Sequence, residues 1–143
     1  MPGSPGNGAP ADFDARCDTI EGAYEFFLAY ASQGLPSDQG SERGREVREY
    51  LRRCDGALTG IGDVIIGFVE QAGLDMEPYR AFAGVIERDA RDASAAIRLV
   101  LAQPAIGSQL IDNLNASIHL RALLTDLFLI DEVRKLHKHD GPA

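Results

Sequence analysis

Residues 42–72 read ERGREVREYLRRCDGALTGIGDVIIGFVEQA, and this stretch decides the fold predicted for the chain. Its apolar residues recur at intervals of three and four, which places them on one face of a helix. The members of this stripe are Val47, Tyr50, Leu51, Cys54, Leu58, Ile61, Ile65 and Phe68. Their spacing averages about 3.5 residues, the interval at which bundle helices keep one seam towards their neighbours. The stretch therefore predicts one long helix that packs against other helices.

Apolar stripes with helical spacing also run through the sequence on both sides of this stretch. The segment 35–41, LPSDQGS, is a turn rich in helix-breaking residues. The predicted helices span residues 12–33, 42–72, 75–103 and 108–136. Because the connections are short, consecutive helices must turn back on each other. We therefore predict an all-α, antiparallel up-down-up-down four-helix bundle at residues 12–137, with flexible tails at 1–11 and 138–143.

The composition limits the classes of function. The 143 residues carry a formal net charge of −8, which argues against nucleic-acid and membrane-surface binding, since both need a dense basic face. The N-terminus has no charged start followed by an apolar run, and no apolar stretch reaches about 18 residues, so we expect a cytoplasmic protein. Cys17 and Cys54 lie on apolar stripes and are expected to be buried free thiols.

Unequal helix lengths suggest an interaction surface. If the first two predicted helices pair from their shared turn, the first ends opposite about Val64, and roughly 12 Å of the second extends beyond it. This overhang carries apolar and small residues off the main stripe, as partner surfaces often do. The predicted contact residues are Gly60, Ile66, Gly67 and Val69. The alternative is that the N-terminal tail, or an extra turn of the first helix, covers them.

A polar strip on the predicted fourth helix is the second candidate site. Its members are Asp112, Asn115, His119 and Asp126, at spacings of three, four and seven. Carboxylates, an amide and an imidazole in line could bind a metal or a small ligand, although a water-facing strip has the same pattern. The Glu-x-x-His pairs of di-iron bundles are missing, and so are nucleophile and phosphate-loop motifs. We therefore expect no catalytic residues, no metal and no cofactor.

Two further charged features have open interpretations. Arg45, Arg48 and Arg52 align on one helix face and could clamp an anion, but the interleaved glutamates favour a solvated, salt-bridged face. Asp89 lies closest to the apolar stripe of its helix. If it is buried it needs a partner, for which Arg121 is the candidate.

The function expected from these observations is a non-enzymatic helical protein–protein interaction module. It would be an accessory protein, an adaptor or an assembly subunit, and it would self-associate, as in a homodimer. Its partners are expected to be proteins, and neither nucleic acid nor membrane. The alternative is a small-ligand- or metal-binding bundle that uses the polar strip.

Overall fold

The chain is seen in a computed structural model that describes residues 5–139, with side chains from residue 8 to residue 137. These residues form six helices and no strand, which confirms the all-α prediction but not the four-helix one. The helices are α1 (Pro5–Ala31), α2 (Glu42–Leu58), α3 (Ile61–Ala72), α4 (Met76–Leu101), α5 (Ser108–Ala116) and α6 (Ile118–His139).

The helices surround one apolar core. Helices α1 and α4 each contact the α2–α3 pair on one side and the α5–α6 pair on the other. All six helices contribute fully buried apolar side chains, including Phe13, Leu51, Ile65, Ile97 and Leu123. Both cysteines are buried and unpaired, as predicted, and burial raises the pKa of each thiol to about 12. Within residues 5–139, no helix combines the length and apolar character needed to cross a bilayer.

The predicted helix 42–72 is two helices, because the chain breaks at Gly60. This residue has a φ of 74°, which glycine adopts without a steric penalty. Side chains from other helices satisfy both new helix ends. Arg16 donates to the carbonyl oxygen of Ala57 at 3.1 Å, near the end of α2. Glu87 accepts from the N–H of Gly62 at 3.0 Å, in the first turn of α3, where a carboxylate is favoured.

The predicted helix 108–136 is also two helices, with a break at Ser117. The backbone of Ser117 is extended, with φ −65° and ψ 146°. Its hydroxyl donates to the carbonyl oxygen of Leu114 at 2.7 Å, which satisfies one of the last acceptors of α5. Serine competes for backbone hydrogen bonds in this way at helix ends.

The N-terminal segment differs from the predicted tail 1–11. Helix α1 begins at Pro5, so residues 5–11 are helical despite their proline and glycine content. The contact that stabilises this extension is with α3, since Ala9 lies over Gly67 and Phe13 packs on Phe68 with ring centroids 5.1 Å apart. Here the packing of α1 against α3 outweighs the low helix propensity of residues 5–11. Residues 138–139 of the predicted C-terminal tail belong to α6, and residues 1–4 and 140–143 lie outside the described residues.

Two loops, 32–41 and 102–107, are tied together by a buried ion pair, and we call Asp38, Arg48 and Ile106 the loop joint. Arg48 Nε donates to Asp38 Oδ2 at 2.6 Å, and the second carboxylate oxygen accepts from the N–H of Ile106 at 2.6 Å. The guanidinium also donates to the carbonyl oxygen of Leu101 at 3.2 Å and to that of Gln103 at 2.9 Å. The anion clamp considered for Arg45, Arg48 and Arg52 is therefore not available at Arg48, whose donors already bind groups of this chain.

Candidate interaction surface

The four residues predicted to contact a partner do not form an open face. Val69 has no exposed surface, and Ile66 packs against the core. A Cβ atom at Gly67 would lie 3.4 Å from that of Ala9, so α1 covers this position. Gly60 lies in the break between α2 and α3. The overhang that motivated the prediction is thus closed by the N-terminal turns of α1, which was the alternative interpretation.

The predicted polar strip is divided by the break at Ser117. Asp112 is exposed on α5, whereas Asn115 is 6% exposed and its amide oxygen and nitrogen have no hydrogen-bond partner among the described residues. His119 and Asp126 follow on α6 and are half-buried. In the part of the chain that the structure describes, no three or more His, Cys, Asp or Glu side chains are grouped to hold a metal ion. The four residues are therefore not arranged as one ligand set.

Asp126 faces another acid, Asp89 of α4, rather than a base. Burial, followed by a hydrogen bond with Asp89 and the negative charge of that residue, raises the pKa of Asp126 to about 7. A carboxyl pair of this kind shares one proton, because two adjacent charges repel. The predicted partner of Asp89, Arg121, is instead exposed on α6. Asp89 is only half-buried and does not pair with Arg121, the partner considered for it if buried, so the guanidinium of Arg121 is accessible at the surface.

We expect Asp126→Asn to stabilise the fold at pH 7.5 and to have little effect at pH 4. The folded-state pKa of Asp126 lies above its ordinary value of 3.8, so the stability contributed by this group is present below about pH 4 and is lost as the pH rises through 7. An amide stays neutral and donates to Asp89 at both pH values. After allowance for solvent screening, about 1 kcal/mol is expected at pH 7.5, or roughly 4 °C in Tm.

Thermal unfolding of both proteins at the two pH values checks this expectation. Asp92→Asn is the matched control, because it makes the same change in charge at an exposed position of α4. An equal shift of Tm at pH 4 and pH 7.5, or an equal shift in the control, would argue against a shared proton.

A cleft of about 420 Å³ lies beside the α2–α3 break, and its charged groups already have partners. Arg91 pairs with Glu87 at 3.2 Å, and the same carboxylate caps α3. Arg98 pairs with Asp55 at 2.9 Å. The charged side chains in this cleft therefore make contacts that hold the α2–α3 break against α4.

Helix α6 is apolar on two sides. Its inner face is buried in the core through Leu120, Leu123, Leu124, Leu127 and Ile130. Its outer face carries four large, exposed apolar side chains. Ile118 is 71% exposed, Phe128 56%, Leu129 53% and Leu136 56%. Single exposed apolar residues are ordinary, but several along one helix mark an interaction surface.

The outer face has the spacing of a helix-pairing seam. The residues Ile118, Ala122, Thr125, Leu129, Glu132 and Leu136 follow one another at intervals of four, three, four, three and four, and we call this set the α6 seam. Alternating steps of three and four keep one stripe towards a partner helix. A depression of about 280 Å³ on the seam is lined by Ile118, Arg121, Ala122 and Thr125. Four residues in this arrangement form the hole into which a side chain of a facing helix inserts.

An apolar groove between α4 and α6 continues this surface. It measures about 280 Å³ and is lined by Pro78, Tyr79, Phe82, Leu129, Ile130 and Val133. Leu129 belongs to both the seam and the groove. The apolar circumference of this helix is visible in the sequence, but the stripe that stays uncovered depends on how α6 packs against α4.

No protein-family model, curated protein or solved structure matches this chain.

Proposed function

We propose that this chain is a non-enzymatic helical protein–protein interaction module that binds its partner through the α6 seam. The observation that carries the proposal is the second apolar face of α6, on which Ile118, Phe128, Leu129 and Leu136 are each more than half exposed. Such a module acts as an accessory protein, an adaptor or an assembly subunit.

The energetics of the seam support this proposal. Complete burial of a leucine or isoleucine side chain contributes about 1.5–3 kcal/mol, so covering the three exposed side chains of the seam, Ile118, Leu129 and Leu136, is a substantial driving force for association. The apolar residues are flanked by Arg121 and Lys135, and a polar rim around an apolar centre is typical of protein interfaces.

The ligand-site alternative has less support, because the break at Ser117 separates Asp112 and Asn115 from the other members of the strip. We also propose a cytoplasmic location, since two unpaired cysteines fit a reducing compartment.

A photo-crosslinking amino acid placed on the seam tests the proposed function in the host cell. We expect full-length chains that carry the crosslinker at position 129 or at position 136 to join the same single protein, because both positions face the partner. The control is position 99 on α4, where Leu99 is 66% exposed but lies off the seam. Mass spectrometry of the adducts identifies the protein that is joined and the peptide that is modified.

Comparison of the adducts formed at positions 129, 136 and 99 tests whether the seam is the binding surface. Adducts from 129 and 136 that contain one common protein, and that are missing at 99, support the α6 seam as the binding surface. If 129 and 136 form no more adduct than 99, or if they join unrelated proteins without a common species, the proposed surface is wrong.

A further inference from the structure

We propose that the partner on the α6 seam is a second copy of this chain, bound antiparallel about a two-fold axis level with residue 127. This inference rests on the proposed function, since it names the partner of the same surface. The support comes from the symmetry of the seam, from the placement of its two flanking charges and from the small residue between them.

The seam has the same spacing when it is read from either end. An axis level with residue 127 therefore places every seam residue opposite another member of the seam. Ile118 faces Leu136 of the second copy, Thr125 faces Leu129, and Ala122 faces Glu132. A two-fold dimer requires a surface that is complementary to itself, and this spacing meets that requirement along the whole stripe. The three large apolar side chains of the seam in one copy, Ile118, Leu129 and Leu136, then pack against the seam of the other.

The charges beside the seam are complementary only between copies. Arg121 and Glu132 are eleven residues apart, which is about 20° around the helix, so both lie on the same side of the seam. Along the axis they are about 16 Å apart, too far to pair within one chain. Neither takes part in an ion pair within the described part of the chain.

In the antiparallel arrangement, Arg121 of each copy lies within about one residue, or 1.5 Å along the axis, of Glu132 in the other. The two-fold axis keeps both on the same side of the interface, so two equivalent ion pairs form. A parallel two-fold arrangement would instead place the two Arg121 side chains on opposite flanks of the interface, about 16 Å along the axis from Glu132 of the other copy, so no ion pair would form. The antiparallel arrangement is therefore the one that the charges support.

Ala122 supplies the space that this pairing needs. It lies opposite Glu132 of the second copy and lines the same depression as Arg121. Because its side chain is small, the glutamate enters the depression and its carboxylate reaches the guanidinium. The charged residue in the seam, which would be unfavourable against an apolar partner, thus gains a partner of opposite charge from a second copy.

Charge reversal tests this arrangement in the purified, full-length chain. We expect Arg121→Glu alone and Glu132→Arg alone to weaken self-association tenfold or more, because each variant places like charges together at both pairs. The double variant restores opposite charges at both pairs, and its dimer affinity should return to within about threefold of the unmodified chain. An equimolar mixture of the two single variants should also dimerise, since each copy then offers the charge that the other lacks.

Sedimentation velocity over a range of protein concentrations measures these affinities, and thermal unfolding confirms that each variant is folded. Arg52→Glu on α2 and Glu70→Arg on α3 are matched controls, because they make the same charge changes at exposed positions away from the seam. Both controls should dimerise like the unmodified chain.

Each of the other outcomes contradicts a specific part of the inference. If neither the double variant nor the mixture recovers self-association, the antiparallel arrangement is wrong. If the unmodified chain stays monomeric while position 129 crosslinks to a different protein, the second copy is wrong and the proposed function stands. If the chain stays monomeric and position 129 forms no specific adduct, both proposals fail.

Discussion

Replacing Gly44 by alanine is expected to destabilise the chain by about 3 kcal/mol or more, the upper range for an overpacked site. A Cβ atom at this position would lie only 1.8 Å from the carbonyl oxygen of Asp38 and 2.6 Å from its Cα atom. Both are backbone atoms, so they cannot move aside as the end of a flexible side chain can. The displaced segment carries Asp38, and the loop joint would lose its geometry at the same time.

Gly56→Ala is the matched control, because it makes the same substitution in the same helix. No atom lies within 4 Å of a Cβ at Gly56, and alanine is favoured over glycine in a helix by about 1 kcal/mol. Chemical denaturation of both variants should therefore give changes of opposite sign in the free energy of unfolding. If both glycines tolerate alanine equally, the close approach of α2 to the 32–41 loop is wrong.

The second large effect is expected for Asp38→Asn, which should reduce the free energy of unfolding by about 3 kcal/mol. Asp38 is 8% exposed and Arg48 23%, so the change leaves a largely buried guanidinium without its counter-charge. The amide can still accept from the N–H of Ile106, but its own donors face the donors of Arg48. Asp12→Asn is the control. It removes the charge of an exposed pair with Arg16, for which less than about 1 kcal/mol is expected.

The loop joint also contributes to the pH dependence of stability. Burial alone would raise the pKa of Asp38, but the hydrogen bonds from Arg48 and from the N–H of Ile106 outweigh it, and the pKa is lowered below 3.8. Its stabilising contribution is therefore present above about pH 4 and is lost as the pH falls through the folded-state pKa. Chemical denaturation at pH 3 and pH 7 measures the difference. The effect of Asp38→Asn should shrink at pH 3, and a constant effect would contradict the ion pair.

Asp38 and Asp126 thus act in opposite directions along the pH scale. The stabilising contribution of Asp38 is lost as the pH falls below about 4, whereas the carboxyl pair of Asp89 and Asp126 destabilises the fold as the pH rises towards 7. The two effects belong to different helices and should be additive, since the groups share no partner. The Asp126→Asn variant, in which the loop joint is unchanged, should keep its free energy of unfolding nearly constant from mildly acidic to neutral pH.

The helices and the core could be predicted from the sequence because apolar periodicity is a local property. The stripe from Val47 to Phe68 recurs at helical spacing whether or not the helix bends, and all of its residues are buried except Tyr50, which is partly buried. It could not show the break, because Gly56, Gly60 and Gly62 look alike along the chain. Only Gly60 takes a positive φ, and the groups that hold the two helix ends, Arg16 and Glu87, come from distant parts of the sequence.

The candidate site depended more strongly on tertiary structure. The sequence predicted an open overhang at Gly67 and Val69 because Pro5 to Ala11 have low helix propensity. Contact with α3 makes these residues helical, and the overhang closes.

The sequence by itself determined that this chain is all-α, that its thiols are buried, and that its last helix is apolar over most of its circumference. Only the tertiary structure decided where that helix begins, that Asp89 faces Asp126 rather than Arg121, and that the stripe from Ile118 to Leu136 points outward. The physical reason is the separation along the sequence over which each feature is set. Helical periodicity arises from residues three and four apart, whereas partners and exposure are set by the register between α4 and α6, which residues far apart in the chain determine together.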